Sequence, residues 1–438
     1  MKELLYISYF FPPLGGAGVQ RAAKFARYLP EFNWRASVIT SDARYWMDDP
    51  SLLADVDDAC EVVRVPHWGS GAMQRQAGGG VRSSGRVRWL RALSRWLFVP
   101  DNYVAWSAAA ARSAARMLAS GRFAACLTTS SPDSAHLIGL WLRARFGIPW
   151  IADFRDPWTR RLSYAPPSQW HDRLHHRLER EVLHGADGVI VTSEATRDDF
   201  LERYRSLEPA RVQVVTNGYD EADFLAALRA TADREDLLRG EILHSGQLNP
   251  ERPIEPYLRG LTRYLERARV PSLPASLFAG GHYDRDVAAV AKHRLEAYVR
   301  FVPNRPHLVA VGDCLHARIL LLMEDPSPRG ALILPGKIFE YLRAGRPILA
   351  LVAPSGAAAH LVRSLDAGLV ADPTRPEEIA SALEALLRRT EAAGSKCLAI
   401  RPGASVARFE RRSITRQLAS ILDSAEMKSS NRSLPAPV

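Results

Sequence analysis

Lys337 and Glu340 lie three residues apart in the stretch Pro335-Gly336-Lys337-Ile338-Phe339-Glu340-Tyr341-Leu342-Arg343-Ala344-Gly345-Arg346-Pro347. That spacing puts a cation and a carboxylate on one face of a helix. A cation in a first helical turn can take a phosphate that the free backbone N–H groups also attract. A carboxylate one turn later can accept hydrogen bonds from ribose hydroxyls. Pro335 suits the helix start, where its missing N–H costs nothing, and Gly345-Arg346-Pro347 stops the helix before an apolar run, Ile348 to Val352. An ordinary ion pair on an amphipathic helix has the same spacing, so these residues alone leave both readings open.

Three other stretches carry chemistry. Gly15, Gly16 and Gly18 follow a strand and open a helix, so their backbone can approach a ligand closely and aim N–H groups at an anion. As a dinucleotide fingerprint the loop fails, because Arg21 stands where close helix–strand packing needs a third glycine. Asp153, Arg155 and Asp156 follow the apolar run Trp150-Ile151-Ala152 and would emerge at the carboxyl end of a parallel sheet, where ligands of open α/β folds bind. A carboxylate there can accept the proton of an acceptor hydroxyl, and an arginine can hold a phosphate; a buried Asp/Arg pair fixing the loop is the alternative. Asp133 and His136 begin a helix at another strand end and are further base candidates on the acceptor side.

The elements that must position these groups alternate. Leu4–Ser8, Ser37–Thr40, Ala124–Thr128, Trp150–Asp153 and Gly188–Thr192 read as strands, with helices at Val19–Leu29 and His136–Arg145. A second series runs through Ile242 to Gly246, Ala275–Ala279, Ile319–Leu322 and Ile348–Val352. Such alternation indicates parallel sheets with helical crossovers, and 438 residues exceed the usual single core. The net charge of +10 is spread along the chain without a zinc-finger or basic-zipper pattern, which argues against a nucleic-acid partner. Cys60, Cys126, Cys314 and Cys397 are far apart, which favours a reducing cytosol and no zinc site. No run reaches the roughly 18 apolar residues of a membrane span. Within the insertion 68–100, residues 86–98 put Trp89, Leu90, Leu93, Trp96 and Leu97 on one helical face and Arg88, Arg91 and Arg95 on another. This pattern fits contact with an anionic membrane surface, or a helix packed on its own domain.

The stretches Tyr9 to Arg21, Ala152 to Thr159, Thr216 to Asp220 and Pro335 to Ala350, in this order, resemble family 4 glycosyltransferases. The resemblance implies a GT-B fold, α/β, with two Rossmann-like αβα domains facing a cleft and a C-terminal helix crossing back to the N-terminal domain. The implied organisation is an acceptor-side domain at 1–222, a linker at 223–240, a donor-binding domain at 241–400, a crossing helix at 404–425 and a disordered tail at 427–438. It also implies retaining, metal-independent transfer from a sugar nucleotide, with no cofactor. Gly246, Arg252, Lys337 and Glu340 would bind the donor, Arg252 and Lys337 at its pyrophosphate and Glu340 at its ribose; the Gly15, Gly16, Gly18 and Arg21 loop would lie near the acceptor and the departing phosphate. Gln247 stands where the family's first cation is usual, and Leu332 where its first glutamate is. A lipid-linked or glycan acceptor at the cytoplasmic face of the inner membrane is the expected partner. Two other readings stay open: a catalytically silent scaffold, and a GT-B nucleotide-sugar epimerase.

Overall fold

The computed structural model describes residues 1–43, 49–57, 59–67, 94–248, 252–267, 274–392 and 404–430. They form two compact units, Met1–Thr216 with Arg411–Val438, and Asn217–Glu410. The first holds a seven-stranded parallel sheet: β1 (Lys2–Ile7), β2 (Trp34–Ser41), β3 (Val62–Val65), β4 (Phe123–Thr129), β5 (Trp150–Phe154), β6 (Gly188–Val191) and β7 (Val212–Val214), in the order β3-β2-β1-β4-β5-β6-β7. The second holds six: β8 (Ile242–Ser245), β9 (Ser276–Ala279), β10 (Val299–Val302), β11 (Ile319–Met323), β12 (Ile348–Leu351) and β13 (Gly368–Ala371), in the order β10-β9-β8-β11-β12-β13. Strand order reverses at β1/β4 and at β8/β11. These switch points open crevices at the carboxyl ends of the strands, and the candidate residues of each unit follow those strands or their neighbours.

The strands expected from sequence are all present. Central strands such as Leu4-Leu5-Tyr6-Ile7 and Ile319-Leu320-Leu321-Leu322 are buried on both faces and read as continuous apolar runs. The four strands absent from the sequence reading, β3, β7, β10 and β13, are the four sheet edges. Having one neighbour each, they tolerate Arg64, Gln213 and Arg300 within them.

Three expectations differ from the structure. Residues 223–240, expected as linker, lie inside the second unit, and Glu221–Ala230 is a helix capped by the Asp220 carboxylate, with Phe224 and Ala227 in the core. The crossing helix expected over 404–425 is broken: Val406 and Phe409 join the core of the second unit, and the helix Arg411–Ser430 belongs to the first. There Ile414, Leu418, Ile421 and Leu422 pack with Leu4, Tyr6, Phe25, Leu127 and Ile151, each burial contributing about 1.5–3 kcal/mol. That helix continues through residues 427–430, the start of the tail expected to be disordered; 431–438 lie outside the described residues. So does most of the 68–100 insertion, where Trp96, Leu97 and Phe98 are described and exposed. No described helix is long and apolar enough to cross a membrane.

Candidate functional site

In the second unit the helix Lys337–Ala344 forms as its sequence requires. Ile338, Phe339, Tyr341 and Leu342 bury one face, and Gly345 ends it in the left-handed conformation at φ 69°, its N–H donating to the Tyr341 carbonyl. The Tyr341 hydroxyl in turn accepts from the Ser245 N–H at 2.9 Å, tying the helix to the end of β8. Lys337 is thereby turned onto His244. Its Nζ lies 3.1 Å from His244 Nε2, while Nδ1 of the same ring lies 3.0 Å from the Leu321 carbonyl. A carbonyl can only accept, so Nδ1 carries the proton and Nε2 accepts from the ammonium. Burial, then the nearby Lys337 charge, holds His244 well below the usual histidine range and keeps it neutral.

Burial also pushes Lys337 down to about 8; the Glu324 carboxylate opposes this and Arg252 adds to it. Glu324 follows β11 with its side chain buried, and Arg252 Nε lies 2.6 Å from its Oε2. Gly246 has φ 110°, and a Cβ there would stand 3.2 Å from Lys337 Nζ, so this turn needs glycine for its backbone and leaves room for the ammonium. The structure thus brings Gly246, Arg252, Lys337 and Glu340 together around the β8/β11 switch point. Lys337 and Arg252 give it a cationic floor, and Glu340 is half-buried on the same helix. His244 and Glu324 were missed in the sequence. Their signal was a histidine inside an apolar central strand and a carboxylate immediately after one.

In the first unit Gly15 and Gly16 lead into the helix Ala17–Tyr28, with Gly16 at φ 99° as its cap. Arg155 Nη1 donates to the Gly18 carbonyl at 2.8 Å. A Cβ on Gly18 would stand 2.7 Å from Arg155 Nη2, so the glycine makes room for the guanidinium. Burial lowers Arg155 from the usual guanidinium range, while Asp156 and Asp153 act in the opposite sense. Arg155 therefore sits against the glycine loop, with the half-buried carboxylate of Asp156 next to it in the chain.

Asp153 and Arg21 do not have the roles expected of them. Arg21 is 1% exposed and donates through Nε and Nη2 to both Asp153 oxygens, at 3.0 and 2.8 Å, and to the Thr216 and Val215 carbonyls at 2.7 and 3.0 Å. Asp153 also accepts from the Thr129 hydroxyl. With both oxygens occupied and no exposure, Asp153 positions the loop and is not the base; Arg21 holds Asp153 and is not at the phosphate. His136 is also corrected: it is fully buried, Nδ1 lies 2.8 Å from Thr128 Oγ1, and burial pushes it down to about 3, which makes it a poor proton acceptor at neutral pH. Asp133 remains a candidate. It pairs with Arg161, and burial pushes it up to about 6 against that arginine. Among the described residues no cluster of three His, Cys, Asp or Glu side chains is placed to hold a metal.

Residues 15–218 match the model of a glycosyl transferase 4-like domain. A 43-residue stretch is 49% identical to alpha-maltose-1-phosphate synthase of Mycolicibacterium smegmatis and spans 10% of this chain and 11% of that protein. Three solved structures share the fold. Sucrose-phosphate synthase from Thermosynechococcus elongatus superposes with a TM-score of 0.67 at 16% identity, covering 98% of this chain and 100% of that one. Trehalose 6-phosphate synthase from Burkholderia multivorans gives 0.65 at 12%, covering 98% and 100%. HepE of Anabaena, in complex with UDP and glucose, gives 0.63 at 16%, covering 97% and 100%. Two parallel sheets of seven and six strands with this order are the GT-B fold.

Proposed function

From a GT-B fold whose residues 15–218 match a glycosyl transferase 4-like domain, we propose that this protein moves a sugar from a nucleotide-diphosphate sugar to an acceptor hydroxyl. The observation that carries this reading is the Lys337, Arg252 and Glu340 cluster at the β8/β11 switch point. Transfer breaks the bond between the anomeric carbon and the diphosphate, and negative charge grows on the leaving group. Lys337 and Arg252 supply the stabilising charge, so the reaction needs no metal, and Glu340 accepts from the ribose hydroxyls. Arg155 holds a phosphate at the glycine loop, and Asp156 beside it takes the acceptor's proton. The reading includes retention of configuration and a place in bacterial polysaccharide or glycolipid assembly, on the strength of the resemblance alone.

A lipid-linked acceptor at the cytoplasmic face of the inner membrane is supported by the surface of the first unit. Trp96, Leu97, Phe98 and Trp170 are exposed. Arg173, Arg177 and Arg180 line an open groove on the helix Gln169–Gly185, together with Arg203 and Arg205. Basic side chains next to exposed tryptophans suit an anionic lipid surface.

Melting of the protein with UDP, GDP, TDP or ADP, repeated in Glu340→Ala, tests the donor site. A nucleotide that binds only the folded state raises the melting temperature. A rise with one nucleotide, lost in the variant, is expected. Folded protein that responds to none of them overturns the reading.

A further inference from the structure

Resting on the donor half of that reading, we propose that Glu324 is a counter-ion built into the donor site, and that its charge favours the nucleotide sugar over the nucleoside diphosphate that transfer releases. Glu324 follows β11 at the β8/β11 switch point, and its side chain is 1% exposed. Its Oε2 lies 2.6 Å from Arg252 Nε, the one ion pair that Arg252 makes among the described residues.

Counting Lys337 itself, this cluster holds two charges of each sign. Arg252 adds to the Lys337 charge, while Glu324 and Glu340 oppose it, Glu324 the more strongly. Burial keeps the Cys314 thiol protonated and the His244 ring neutral. A hollow of about 210 Å³ beside the pair is lined by Arg252, Arg259, Glu324 and Asp325, again two charges of each sign. A carboxylate in contact with the cations opposes every anion they attract, and opposes it more the greater that anion's charge.

The two nucleotides of the reaction differ in that charge. A nucleotide sugar is a diphosphate ester with about one negative charge on each phosphate. When the bond from the anomeric carbon to the diphosphate oxygen breaks, that oxygen keeps the electron pair, while the acceptor oxygen bonds to the sugar and gives up its proton. The freed terminal phosphate has a second ionisation at about 6, so at neutral pH the product carries nearly one charge more than the donor. Glu324 sets that extra charge against a buried carboxylate. The same carboxylate opposes part of the charge growing in the transition state. Its benefit is release of a product that two uncompensated cations would hold, a step that limits many enzymes.

Titration calorimetry on the full chain at pH 7, with UDP, GDP, TDP and ADP each set against its own glucose ester, tests this through the ratio of the two affinities. Any change in the Lys337 proton acts on both ligands alike and leaves the ratio unaltered. In the wild type the ester should bind at least as tightly as its diphosphate. Glu324→Gln should shift the ratio about tenfold toward the diphosphate, and Glu324→Asp, which keeps the charge, should leave it in place. A wild type that holds the diphosphate about tenfold more tightly than the ester overturns the inference without any variant. So does an equal change in both ligands in Glu324→Gln, since Glu324 would then only hold Arg252 in place. In either case the donor reading stands. Folded wild-type protein that binds none of these ligands overturns the donor reading, and the inference with it.

Discussion

Lys337 donates from Nζ to Nε2 of His244 across 3.1 Å, and the His244 ring is locked in that tautomer by the Leu321 carbonyl. A neutral imidazole thus stands where a carboxylate would neutralise the ammonium. Lys337 is half-buried, its charge is only partly offset by the Glu324 carboxylate, and an arriving phosphate can complete it.

This arrangement makes nucleotide binding pH-dependent. With Lys337 pushed down to about 8 from its ordinary 10.5, the ligand-free protein carries the ammonium below pH 8 and loses it above. A diphosphate favours the charged form, so binding above pH 8 must take up a proton. UDP affinity is expected to be flat from pH 6.5 to 7.5 and to fall toward tenfold per unit above 8. Titration calorimetry in buffers of different ionisation enthalpy reads both the affinity and the proton uptake. Lys337→Met should bind weakly and without this slope; a slope that persists in the variant assigns it to another group. The linkage for stability has the opposite slope, because folding releases the proton that ligand binding takes up. The unfolded chain binds more protons between pH 8 and 10.5, so this residue's contribution to the stability of the ligand-free protein rises across that window.

Removal of Arg21 should unfold the first unit before it affects any chemistry. Arg21→Met leaves the Asp153 carboxylate buried without its guanidinium, a loss of about 3–5 kcal/mol. Chemical denaturation should show the midpoint moving down with the slope retained. Full stability in Arg21→Met or Asp153→Asn, with transfer abolished, would return Asp153 to the catalytic groups.

Gly18→Ala tests Arg155. The new Cβ would stand 2.7 Å from Nη2, and the flexible guanidinium can give way more easily than backbone can. Stability should change little, and transfer should fall tenfold or more, since one charged hydrogen bond is worth about 1.5–3 kcal/mol. Unaltered turnover would remove Arg155 from the phosphate.

Sedimentation with vesicles tests the surface of the first unit. The protein should pellet with phosphatidylglycerol vesicles at low salt, less at high salt, and not with phosphatidylcholine alone. Replacing Arg173, Arg177 and Arg180 with Gln together, or Trp96 and Trp170 with Ala together, should each weaken the binding. Equal binding by all variants would discard this surface.

The sequence by itself determined the two αβ series, because central parallel strands are buried on both faces and must be apolar throughout. It also determined the helix Lys337–Ala344, whose start, buried face and glycine stop are all local. Edge strands stayed hidden because one neighbour demands less of their side chains. The place where the last helix breaks, between Phe409 and Arg411, depended on which core each half could fill. Spacing could bring Lys337 and Glu340 to one helix, but only the tertiary structure set His244 and Glu324 against Lys337 and Arg252, from strands far away in the chain. Only it spent both oxygens of Asp153 on Arg21, since a carboxylate reads alike in sequence whether its partner is a substrate or a buried arginine 132 residues away.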